Sequence, residues 1–205
     1  MRSSIKSTIK KLNSYEITEE RKKALIPLIQ FIQDKKDKKL PIRLNFICTH
    51  NSRRSILTQV WAQTLAFYFK LENFTSYSGG TEKTAVYKSI ISTLADTGFQ
   101  IEYLTESDNP IYSIKFSDNE HPIIGFSKHY DSPFNPASEF AAIMTCSQAD
   151  GNCPFIAGAE KRIPITYEDP KQFDGLAEQD QQYMERNLQI ASELFYVFNQ
   201  IRPSR

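Results

Sequence analysis

Residues 42–55 read Ile-Arg-Leu-Asn-Phe-Ile-Cys-Thr-His-Asn-Ser-Arg-Arg-Ser. The apolar run 41–47 has the composition of a buried central strand, Cys48 stands at its end, and Arg54 follows six residues later at the start of a helix-like stretch. A strand-to-helix turn of this kind can aim successive backbone amides at one point, where a tetrahedral oxyanion is held by N–H groups and a helix N-terminus.

Working outward, Ile56, Leu57, Val60, Trp61, Thr64, Leu65 and Tyr68 recur three and four apart, so 55–69 is predicted to be a helix with one apolar face. A short strand at 73–77, a glycine turn at Gly79-Gly80 and a helix over 83–96 follow, ending near Gly98. Strand-like pieces at 110–116 and 121–126 flank Ser117-Asp118-Asn119-Glu120 and predict a hairpin. After a helical or irregular piece, 140–145 reads as a buried strand delivering Cys146. A strand at 163–167 delivers Glu168-Asp169-Pro170, and 176–200 is a long closing helix. Strands alternating with helices predict an α/β fold, a parallel sheet with helices on both sides. Upstream, Leu25, Leu28, Ile29 and Ile32 predict an N-terminal helix over 17–33 despite Pro27, followed by a solvated linker at the charge run 34–39.

At 205 residues and 40% hydrophobic composition the chain is expected to form one domain, with 1–38 as a helical extension and about 105–130 as an insertion. A formal charge of +1, with both signs interleaved, argues against nucleic acid as a partner. No run is long enough for a membrane span and the N-terminus lacks a leader pattern, so a cytoplasmic location is expected. Three cysteines do not make a secreted framework and have no paired spacing for zinc with His50, His121 and His129; no metal or cofactor is expected.

The loops 48–55, 146–153 and 168–170 all leave carboxyl ends of predicted strands, where an open parallel sheet places its ligand crevice. Cys48, its acidity raised by loop amides and a helix end and with Ser55 able to donate to its sulfur, is expected to be a thiolate nucleophile. Arg54 supplies a bidentate fork, Asn51 holds the loop's shape, and His50 sits on the rim. Asp169 can protonate a departing oxygen, with Glu168 as a rival and a plain Asp-Pro turn as the alternative. Cys146 and Cys153, seven apart around Asp150-Gly151-Asn152, point to a disulfide relay; the alternative is a core cysteine and an incidental one.

Cys48-Thr49-His50-Asn51-Ser52-Arg53-Arg54-Ser55 resembles the signature of the low-molecular-weight protein tyrosine phosphatases and of the arsenate reductases sharing their fold. Met144-Thr145-Cys146, with Ala149-Asp150-Gly151-Asn152-Cys153-Pro154, resembles the thioredoxin-coupled arsenate reductases in particular. Asp169-Pro170, sixteen residues beyond Cys153, falls where that branch carries its general acid. The resemblance covers about 41–198 and implies a three-layer sandwich around a central four-stranded parallel sheet.

It also implies oxyanion binding by Thr49, His50, Asn51, Ser52, Arg53, Arg54 and Ser55, with Cys48, Arg54, Asp169, Cys146 and Cys153 catalytic. The implied ligand is arsenate, phosphate or phosphotyrosine, and the implied partner a thioredoxin-like reductant. Arsenate reduction by a three-sulfur relay is the expected activity. Phosphate-ester hydrolysis through a phosphocysteine is the alternative, and a non-enzymatic phosphate-binding module the third. His50 departs from a common glycine, and Arg53 from the second cysteine of many relatives.

Overall fold

A computed structural model describes residues 1–152 and 155–203. Its centre is a parallel sheet of β1 (Ile42–Cys48), β2 (Phe74–Gly80), β6 (Phe140–Met144) and β7 (Ala159–Pro164), in the order β2-β1-β6-β7. Pairing runs from Ile42↔Phe74 to Cys48↔Gly80 on one side of β1 and from Leu44↔Ala141 to Ile47↔Met144 on the other. This register brings Cys48 and the chain leaving Met144 out at the same end of the sheet.

Because strand side chains alternate between faces, β1 and β6 supply two cores. Leu44, Phe46, Ala141 and Ile143 join one with Leu57, Trp61, Ile190 and Leu194, contributed by α3 (Arg54–Tyr68) and α6 (Gln179–Asn199). Ile47, Phe140, Ala142 and Met144 join the other with Cys48, Cys146, Ala149 and Ile156, beneath α5 (Ser147–Asn152) and the segment around Tyr130. Both faces of the sheet are covered, giving the three-layer α/β sandwich expected.

Trp61 ties the helical layer together. It is fully buried, stands edge-on to Phe99 at 5.4 Å between centroids, and donates from Nε1 to Asn187 Oδ1 (2.7 Å). Asn187 in turn donates to Thr97 Oγ1 (2.9 Å) at the end of α4 (Lys88–Thr97). Gly98 closes α4 at φ +111° and sits so close to Ser4 that a Cβ would come within 2.4 Å of its hydroxyl.

Several boundaries differ from the expectation. The glycines at 79 and 80 end β2 instead of forming a turn, and α4 starts five residues later than expected, at Lys88. The inserted hairpin is a three-stranded antiparallel sheet, because β3 (Gln100–Tyr103) joins β4 (Tyr112–Lys115) and β5 (Ile123–Gly125). β7 begins four residues early. It is an edge strand whose Ala159–Arg162 half faces mostly solvent, so it shows no apolar alternation to read. The backbone still follows β6 beyond β7, Ile165 N donating to Met144 O and Tyr167 N to Thr145 O.

At the N-terminus, α2 (Glu19–Asp37) carries the charge run as helix rather than linker: Lys38 pairs with Asp34, and buried Lys35 reaches Glu160 at 2.6 Å. A preceding helix, α1 (Ser3–Leu12), escaped the sequence reading. Its signal is Ile5, Ile9 and Leu12, spaced four and three apart and all buried.

Candidate active site

The 48–55 loop is shaped from outside. Its carbonyls point away from the centre: Thr81 N donates to Cys48 O (3.1 Å), Glu82 N to Thr49 O (2.8 Å), Ser127 Oγ to His50 O (2.8 Å) and Tyr87 N to Ser52 O (3.0 Å). Asn51 takes the left-handed conformation at φ +47°, which asparagine tolerates. Gly80 permits the close approach, since a Cβ there would lie 2.7 Å from both Asn51 N and Thr49 O. With the carbonyls occupied, the N–H groups of 49–53 donate to no acceptor among the described residues. Successive free amides at the mouth of α3 form a concave nest for an anion.

Cys48 is 3% exposed, with Ser55 Oγ 3.1 Å from its sulfur. Asn51 Nδ2 donates to that same Ser55 oxygen (2.9 Å), leaving the Ser55 hydrogen for the sulfur. Asn51 Oδ1 accepts from Lys128 N (3.0 Å). The chain leaving β5 thereby braces the loop through Ser127 and Lys128, neither of which the sequence reading had singled out.

Arg54 is buried. Nη1 donates to Tyr167 O (2.9 Å), Nη2 pairs with Asp169 Oδ2, and Nε has no partner among the described residues. Asp169 also caps a short 3-10 turn, Pro170–Phe173, by accepting from Lys171 N (3.1 Å). The structure thus brings Asp169 to Arg54, whereas Glu168 is exposed. His50 stands on the rim, Nε2 3.3 Å from Glu82 Oε2. His50, Arg54, Gln148, Tyr167, Asp169 and Lys171 are among the residues lining an open cleft of about 660 Å³.

Arg53 turns elsewhere. Its guanidinium lies over the Tyr87 ring at 4.1 Å, donates from Nε to Tyr183 OH (2.7 Å) and pairs with Asp174 at 2.6 Å. Burial works against the charge, but Tyr183 and Asp174 more than offset it and raise the Arg53 pKa. With the side chain engaged there, Arg53 offers the oxyanion its backbone amide. The guanidinium instead fastens the loop to the segment that follows Asp169.

Cys146 lies two residues beyond the end of β6 and is 1% exposed, so its thiol is buried. Its sulfur accepts from Ala149 N (3.3 Å) and lies 3.5 Å from Thr49 Oγ1, next to the nucleophile in the chain. Cys153 lies outside the described residues.

No family model matches this sequence, and no curated protein does. Solved structures do match. A low-molecular-weight phosphotyrosine phosphatase from Vibrio cholerae has a TM-score of 0.51 at 14% identity, over 76% of this chain and 93% of that one. An arsenate reductase in its oxidised state gives 0.51 at 17% identity, over 78% and 98%. The YwlE arginine phosphatase, as a variant with a phosphorylated active-site serine, gives 0.51 at 12%, over 80% and 98%. The chain has the fold that these phosphatases and arsenate reductases share.

Proposed function

We propose that the chain is an arsenate reductase working through Cys48, Cys146 and Cys153. The observation that carries this is the nest of free amides at 49–53 around Cys48, with a second sulfur, Cys146, reached through Thr49 at 3.5 Å. Arsenate enters the nest, takes over the Arg54 fork from Asp169, and engages the unpartnered Nε. The Cys48 thiolate attacks arsenic while Asp169 passes a proton to the departing oxygen, which leaves as water. Cys146 then attacks the Cys48 sulfur. An S–S bond forms, the S–As bond breaks with its electron pair remaining on arsenic, and arsenite departs. Cys153 attacks Cys146, freeing Cys48, and a thioredoxin-like dithiol reduces the 146–153 disulfide. A reducing, cytoplasmic setting fits this chemistry; no helix among the described residues is long and apolar enough to cross a membrane.

A second reading rests on the size of the cleft. About 660 Å³ is far more than a small tetrahedral anion fills, which favours an ester with a bulky leaving group, such as phosphotyrosine. Cys48, Arg54 and Asp169 would then make and hydrolyse a phosphocysteine, with Cys146 a core residue.

The test is arsenate-dependent NADPH consumption with thioredoxin and thioredoxin reductase, run beside hydrolysis of an aryl phosphate. Sustained arsenate turnover that Cys153→Ser limits to about one equivalent per chain supports the relay. Aryl phosphate hydrolysis without it makes the protein a phosphatase. Phosphate binding with neither activity leaves a binding module.

A further inference from the structure

Lys128 is a buried cation that the oxyanion chemistry does not use and that, unlike Lys35 with Glu160, has no acidic partner among the described residues. The residue is 3% exposed, and among the described residues no carboxylate comes within ion-pair distance of its ammonium. What surrounds Nζ is the Phe126 carbonyl at 3.4 Å, the Phe126 ring at 4.4 Å and the Phe134 ring at 5.3 Å. Ring faces and one long carbonyl contact replace little of the water an ammonium gives up, so burial lowers its pKa to about 7.

Lys128 also lines an open pocket of about 960 Å³, separate from the cleft that holds Arg54 and Asp169. The apolar side of this pocket is Ile111, Phe126 and Pro133. Its other charged or titratable residues, Lys83, Asp108, His129 and Asp131, are all exposed, and with His129 counted neutral they sum to −1, which the Lys128 ammonium offsets when protonated. A buried ammonium beside an apolar wall therefore distinguishes the pocket from ordinary surface. A compact point charge with no arginine fork beside it suits a single carboxylate better than a phosphate, which calls for several convergent donors.

We propose that this pocket binds a small organic carboxylate, its charge paired with the Lys128 ammonium and its apolar body against Phe126, Ile111 and Pro133. The site is built on the braces of the oxyanion loop, since Ser127 Oγ holds His50 O and Lys128 N holds Asn51 Oδ1. It requires neither of the two reactions considered above.

Benzoate is the probe, titrated calorimetrically into the full chain at pH 6 and pH 8 with saturating inorganic phosphate occupying the oxyanion loop. A lysine titrating at about 7 is about nine-tenths protonated at the lower pH and one-tenth at the higher, so benzoate should bind about tenfold more weakly at pH 8. K128M, shown to be folded by its melting transition, should lose benzoate at both pH values. H129Q should keep the tenfold dependence. Equal affinity at pH 6 and 8, competition between phosphate and benzoate, full binding by folded K128M, or no binding at millimolar benzoate would each overturn the proposal. The pH and competition measurements need no variant, so they decide the matter even if K128M does not fold.

Discussion

Arg54 and Lys128 are two buried cations attached to one loop, and they are accommodated in opposite ways. Arg54 lies between Tyr167 O and the Asp169 carboxylate, with one nitrogen to spare. Lys128 braces the loop through its backbone, while its ammonium meets aromatic rings and, among the described residues, no counter-ion. The difference follows from the elements that reach each site. The chain beyond β7 keeps pairing with β6 as far as Tyr167 and so carries a carboxylate to Arg54, whereas the segment after β5 brings Phe126 and Phe134 to Lys128. A buried charge with a partner is fixed and ready to exchange that partner for a ligand; one without a partner gives up its proton or waits for an anion.

The sharpest way to break this contrast is to turn Arg54 into a point charge. Arg54→Lys is expected to lower turnover of the anion substrate on the order of 10³-fold, read as kcat, because the fork and the spare Nε are lost together. Asp169→Asn takes the carboxylate partner away. Turnover should fall about 10²-fold for want of the proton donor, yet inorganic phosphate should bind more tightly, since nothing then competes for Arg54. Tight phosphate binding left unchanged would mean that the pair does not open for the anion.

Lys128→Met tests the other side of the comparison. The folded-state pKa of Lys128, about 7, lies below the ordinary lysine value, so between the two the unfolded chain holds the extra proton and wild-type stability rises with pH. Urea unfolding should show K128M more stable than wild type at pH 7, with the advantage shrinking by up to about 1.4 kcal/mol per pH unit toward pH 10. The smallest effect is expected at the third cation. Asp174→Asn weakens the Arg53 clamp and should cost about 1–2 kcal/mol of stability, with a smaller loss of activity through a looser Asp169 segment.

The site was more legible than its surroundings. Cys48, Arg54 and Ser55 follow from a strand-to-helix spacing that any reader of the chain can count, and Asn51 announces its left-handed turn by its type. Arg53 marks the limit of that legibility: it sits in the same loop, but Tyr87, Asp174 and Tyr183, remote in sequence, set where its side chain goes. Helix α1 was missed because three apolar residues in ten give a short signal, and the start of β7 because residues 159–162 are all at least partly in water and offer no apolar position to read. Ser127 and Lys128 had no signal at all; their part in bracing the loop depends on where β5 lets the chain go.

By itself the sequence determined the parallel sheet, the order of its helices and the loop that ends at Arg54, since these rest on periodicity and on spacing within a few residues. Tertiary structure alone decided which carboxylate meets Arg54, where Arg53 points, that Cys146 is buried beside Thr49, and that Lys128 has no counter-ion among the described residues. The reason is one of range. Local pattern fixes the backbone, but a buried charge or thiol is governed by whatever polar group another part of the chain brings within about 3 Å of it.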